Sequence, residues 1–124
     1  MKDYFGLKDE VCVVTGAASG MGKAAATMLV DLGAKVYAMD VNPVEVEGLA
    51  AGIQVNLADR ASIDAAFEQV PDHVRAFLGI AGVSGASMDF TTCTKIDFIS
   101  NKYICEKILA SRMKAGDAIA FITS

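Results

Sequence analysis

The chain has 124 residues, 53% of them apolar, and a formal net charge of −4. That length suits one domain with a real core, and an acidic balance without a basic cluster argues against a nucleic-acid partner. No apolar run approaches the ~20 residues needed to span a bilayer, so no membrane segment is expected.

Residues 1–10 read as a polar lead-in without the apolar stretch of a secretory signal. Val11-Cys12-Val13-Val14 marks a buried strand over 10–15. A helical pattern follows over 20–33, with Ala24, Ala25, Met28, Leu29 and Leu32 on neighbouring faces and Gly33 as its stop. Lys35 to Asp40 reads as strand two, Asn42-Pro43 opens a short helix or turn through about Ala51, and residues 53–56 read as strand three. Asp59 caps a helix over 60–69, whose apolar positions are Ile63, Ala66, Phe67 and Val70, and Pro71 ends it. Val74 to Ile80 is strand four, and 81–94 is a Gly/Ser/Thr-rich loop. A helix over 95–114 carries Ile96, Ile99, Tyr103, Ile104 and Ile108 along neighbouring rows, Gly116 stops it, and residues 118–122 form strand five. Three cysteines (Cys12, Cys93, Cys105) are an odd number without metal-ligand spacing. They suit a soluble, reducing, cytoplasmic setting, with Cys12 as a small core residue.

Strands alternating with helices predict a parallel sheet with helices on both faces. Right-handed crossovers give strand order 3-2-1-4-5, with a crevice between strands one and four where the order reverses. The glycines of Thr15-Gly16-Ala17-Ala18-Ser19-Gly20-Met21-Gly22 fall at the strand-to-helix turn beside that crevice. Free backbone N–H groups and the positive helix end point there, so the turn suits a phosphate. A triphosphatase loop needs Gly at 17 and Ser or Thr at 24, and the chain has alanine at both. Gly-x-Gly-x-x-Gly/Ala is matched only by Gly20, Gly22 and Ala25, late after the strand. An S-adenosylmethionine methyltransferase also uses a glycine turn, but the Thr15-led register does not suit it. Thr-Gly-x-x-x-Gly-x-Gly over 15–22 fits without slippage.

That pattern resembles the short-chain dehydrogenase/reductase family. The resemblance implies a Rossmann-type dinucleotide fold, with a cofactor pyrophosphate over Gly16, Gly20 and Gly22 in a loop that includes Thr15, Ser19 and Met21. Asp40, 24 positions after Gly16, then faces an adenosine ribose. Its carboxylate would repel a 2′-phosphate, which predicts NAD over NADP, although Lys23 is a cation nearby. Asp59 corresponds to a residue that contacts adenine in the family, while a plain helix cap explains it equally well. Gly79-Ile80-Ala81-Gly82 stands where the family usually has Asn-Asn-Ala-Gly; Ala81 and Gly82 match, and Gly82 lets the chain pass the cofactor ribose. The replaced asparagines and the short connection after strand two are closer to compact relatives of the 3α-hydroxysteroid dehydrogenase/carbonyl reductase type.

Asn101 matches the family's proton-relay asparagine and is the one catalytic residue expected here. Tyr103 and Lys107 spell Tyr-x-x-x-Lys but precede strand five, whereas the family's pair follows it, so they read as an ordinary i, i+4 pair. The resemblance covers essentially all of residues 1–124 but only the first half of the family's fold, truncated before the last two strands. The catalytic Ser, Tyr and Lys have no candidates, Ser124 included, so the chain alone is expected to be inactive. The full-length form is expected to be a homo-oligomer acting on a small-molecule alcohol or ketone, steroid-like if the compact resemblance holds. Met88 and Phe90 are candidate substrate contacts. The alternative is a non-catalytic dinucleotide-binding or assembly module that pairs through the edge of strand five.

Overall fold

The computed structural model describes residues 5–82 and 89–122. Five parallel strands form one sheet: β1 (Val11–Thr15), β2 (Lys35–Asp40), β3 (Ala51–Gln54), β4 (Ala76–Gly79) and β5 (Ala118–Phe121). Their order is β3-β2-β1-β4-β5, the order expected from sequence. β1 is central, with Val13 opposite Tyr37 on one side and Phe77 on the other.

Strand alternation sends side chains to two cores. Val13, Met39, Ile53 and Phe77 join one cluster with Phe67, Ile104 and Leu109. Cys12, Val14, Val36, Ala38 and Ala76 face the other with Ala26 and Leu29. Helices therefore cover both faces. Phe67 and Phe77 are fully buried with ring centroids 6.4 Å apart, and each contributes roughly 1.5–3 kcal/mol through burial. Burial pushes the Cys12 thiol up to about 11, against the opposing pull of Arg75. It is a core thiol.

Helix α1 (Gly20–Asp31) is alanine-rich and ends as the sequence indicates. Gly33 takes a φ of +89°, its N–H reaches Val30 O, and the next N–H, of Ala34, reaches Leu29 O. That is a Schellman closure, which satisfies carbonyls the helix leaves open. Helix α2 (Arg60–Phe67) begins at Asp59, whose Oδ1 accepts the Ala61 N–H at 3.0 Å. At its far end the Arg112 guanidinium donates to Phe67 O and Val70 O, both at 3.0 Å. A cation there also complements the negative helix end.

Two boundaries differ from expectation. β3 starts two residues early, because Ala51 and Gly52 pair with Tyr37 and Ala38 despite poor strand propensity. The segment between β2 and β3 holds a turn, one of the two forms expected there. The helix expected to begin at 95 begins at Phe90 and changes pitch along its length. It runs through α3 (Phe90–Thr94), a π stretch (Lys95–Ile99), α4 (Ser100–Tyr103), a second π stretch (Ile104–Ile108) and a 3₁₀ turn (Leu109–Ser111). Among the described residues, no helix is long and apolar enough to cross a membrane.

Candidate functional site

β1 ends on Thr15, which is 1% exposed. Its Oγ1 accepts the Ala81 N–H at 3.2 Å, so the chain leaving β1 is tied to the chain leaving β4. Each motif glycine answers a different demand. Gly16 has a φ of +71°, and a Cβ on it would lie 2.7 Å from the backbone of Ala81. A Cβ on Gly22 would lie 1.9 Å from Gly16 O, so the first turn of α1 packs directly on the loop. Gly20 has a φ of +57° and nothing within 4 Å of its Cβ position. Two glycines are therefore required by protein contacts, and Gly20 by conformation alone.

Ser19 is the N-cap of α1 with extended backbone and an exposed side chain that makes no cap bond. The first helical N–H groups have no intrahelical acceptor, and they point where an anion is stabilised. Asp40 closes the loop from β2. Its Oδ2 accepts the Ala18 N–H at 3.0 Å and its Oδ1 accepts the Asn42 N–H at 2.9 Å.

These residues form one wall of a cleft of about 790 Å³ at the carboxyl ends of the strands. Among the expected site residues, Gly16, Ser19, Met21, Gly22, Asp40, Ala81 and Gly82 line it. Thr15, buried at the end of β1, and Gly20, the first residue of α1, are not among the lining residues. Asp59 is exposed and engaged as the α2 cap, while the preceding Leu57 and Ala58 are the lining residues. Asn101 lines no part of the cleft. Its Nδ2 donates to Asp97 O at 3.3 Å, and its Oδ1 lies over Gly79. Val41, Asn42, Val55, Asn56, Ile80, Thr92 and Ile96 complete the lining and were not singled out in sequence. The available signal was positional: residues just past strand ends border the crevice of such sheets. Phe90 is 84% exposed at the start of α3; Met88 and Ser124 fall outside the described residues.

Tyr103 and Lys107 are not brought to this cleft. The Tyr103 hydroxyl donates to Asp64 on α2 at 2.5 Å, and the Arg60 guanidinium sits 4.5 Å over its ring. The bond to Asp64 holds the phenol above its ordinary value, with smaller upward contributions from burial and the Asp64 charge. A phenol that exchanges protons near neutral pH needs the opposite shift, toward the operating pH. Lys107 is exposed.

A family model described as short chain dehydrogenase matches residues 10–118. A coniferyl-alcohol dehydrogenase from Pseudomonas sp. (strain HR199 / DSM 7063) is 33% identical over 118 residues, covering 95% of this chain and 45% of that protein. A D-threitol dehydrogenase from Mycolicibacterium smegmatis is 30% identical over 132 residues, covering 90% of this chain and 51% of that protein. The chain spans about half the length of these relatives. In fold, it resembles a 3-ketoacyl-(acyl-carrier-protein) reductase from Brucella melitensis, solved in complex with NADH. The TM-score is 0.74 at 20% identity, covering 86% of this chain and 51% of that one.

Proposed function

The chain belongs to the short-chain dehydrogenase family, and from that premise we propose that these 124 residues are the cofactor-binding half of an NAD-dependent oxidoreductase. The whole protein moves a hydride between nicotinamide and a secondary alcohol or ketone. The observation that carries this reading is the cleft itself, with the open face of Gly20 and the first turn of α1 on one side and the Asp40 carboxylate on the other.

The residues fit the cofactor. The uncapped N–H groups at Ser19, Gly20, Met21 and Gly22 suit a pyrophosphate, because no described residue lies within 4 Å of the Gly20 Cβ position. Each Asp40 oxygen already accepts one N–H and has a lone pair left for a ribose hydroxyl. Its charge disfavours a 2′-phosphate, which supports NAD over NADP. Leu57 and Ala58 offer an apolar floor for adenine, and Asp59, the next residue, caps α2. Ala81 and Gly82 border the path toward the nicotinamide end. NAD, when bound, supplies the hydride acceptor, and this chain's part is to orient it. Asn101 is the residue of this half assigned to proton handling.

Isothermal titration of the 124-residue polypeptide with NAD and NADP tests the reading. We expect saturable NAD binding, weaker NADP binding, and no NAD reduction with a panel of secondary alcohols. Absence of NAD binding by a folded chain overturns the assignment; turnover by the chain alone overturns the division of labour.

A second reading has one observation in its favour. β5 stands last in the sheet order and every one of its residues is exposed. An edge strand with an open row of N–H and C=O groups can pair with another chain, and in this reading the module serves assembly without chemistry. Sedimentation with and without NAD separates the two.

A further inference from the structure

Gly79 is the last residue of β4, and its φ is not positive. Backbone conformation therefore does not require glycine there; space does. A Cβ on Gly79 would lie 2.8 Å from Asn101 Oδ1 and 2.7 Å from Phe121 Cδ1. Both separations are shorter than nonbonded carbon contacts tolerate, so the missing side chain is a notch that two neighbours fill.

The two fillers arrive from different elements. Phe121 is directly opposite Gly79 in the β4–β5 register. Its ring meets Phe77 edge-on, with centroids 6.2 Å apart, two residues back on the same face of β4. Asn101 descends from α4, and its Nδ2 bond to Asp97 O leaves Oδ1 facing the strand. On its other side Gly79 pairs with Thr15, the residue that enters the glycine loop. The residues that follow it, Ile80, Ala81 and Gly82, line the cleft.

We propose that Gly79 is a positioning residue: its missing side chain seats the Asn101 carboxamide at the carboxyl end of β4, behind the residues that lead from the strand into the cleft, with Phe121 as the outer wall of the seat. A side chain at position 79 takes the volume that Oδ1 now fills and drives the amide toward solvent. The functional value of the seat rests on the dinucleotide reading above, whereas its geometry does not.

Nuclear magnetic resonance on the labelled 124-residue chain tests the seat. The parent is expected to show Overhauser contacts from the Asn101 side-chain amide to the Gly79 α protons and the Phe121 ring. Gly79→Ala shifts the Asn101 amide pair and loses its contact to Phe121. Gly52→Ala, where a Cβ meets its nearest neighbour at an ordinary 3.8 Å, leaves the pair in place. Adding Asn101→Ala to Gly79→Ala recovers part of the lost Tm, because it empties the contested volume. If Gly79→Ala alone does not fold, the parent contacts and the double variant still decide. No contact in the parent, or an unmoved amide pair in Gly79→Ala, overturns the seat. Titrating NAD into the parent sample separates the two ideas. A chain with the contacts but no NAD response overturns the dinucleotide reading and keeps the seat. NAD binding that leaves the Asn101 amide unmoved overturns the functional value of the seat.

Discussion

Asp40 accepts two backbone N–H groups from its own chain, so a substitution there has two effects that must be separated. Loss of the Ala18 bond loosens the loop and weakens every dinucleotide alike. Loss of the charge acts on the 2′ position and changes NAD relative to NADP. Asp40→Ala is expected to weaken NAD about tenfold or more, the equivalent of one charge-assisted hydrogen bond of roughly 1.5–3 kcal/mol. It also narrows the NAD/NADP ratio; an unchanged ratio by titration assigns Asp40 to the loop alone. The glycines allow a second separation. Gly20→Ala incurs only the left-handed backbone penalty, about 1–2 kcal/mol, because its Cβ meets no protein atom. Its Cβ enters the space proposed for the pyrophosphate, so NAD affinity is expected to fall further than chemical denaturation of the apo chain accounts for. Gly16→Ala adds a clash with Ala81 to the same penalty and is expected to lower stability more than Gly20→Ala does. The spacing of the glycines was legible in sequence; the reason for each was not, since Ala81 and Gly16 meet only through the β1–β4 pairing.

At the scale of elements, periodicity located every strand, and local chemistry located the start of α2 at Asp59 and the stop of α1 at Gly33. It failed where packing overrode propensity. Thr91, Thr92 and Thr94 are β-branched and carry no apolar period, so this segment read as loop. It is helical because Cys93 is buried, the Thr94 hydroxyl returns to Phe90 O at 2.9 Å and the Cys93 N–H reaches Asp89 O. Asn101 was legible as a residue, while its place over Gly79 depended on the helical phase set by the π stretch before it. Another long-range pair joins the amino ends of β4 and β5. Asp117 Oδ2 accepts from the Lys114 N–H and pairs with His73 Nε2, both at 2.8 Å. Burial raises this carboxyl, but those bonds outweigh it and hold it below its ordinary value of 3.8. A carboxyl with a lowered folded-state value stabilises above the unfolded value and loses that contribution as pH falls through the folded one. Tm measured down an acid series is therefore expected to drop below pH 3.8, and to drop less steeply in Asp117→Asn than in the parent.

At the scale of the molecule, β5 has no strand beyond it among the described residues. Ile119 and Phe121 on β5 are each 43% exposed and Ile122 just beyond is 51% exposed, an apolar strip along an unpaired edge. Concentration-dependent association of the 124-residue chain is expected in sedimentation, and Ile119→Lys is expected to reduce it, since a lysine blunts an edge strand. Concentration-independent mass in both chains removes the edge as an interface. The cleft, in contrast, is braced. Thr15 Oγ1 holds the Ala81 N–H across the gap between β1 and β4. That amide belongs to a connecting segment, where protons normally trade with water quickly, yet its acceptor is all but sealed from solvent. Its deuterium uptake therefore acts as a clock on the parting of the two central strands, readable at one backbone position without any ligand label.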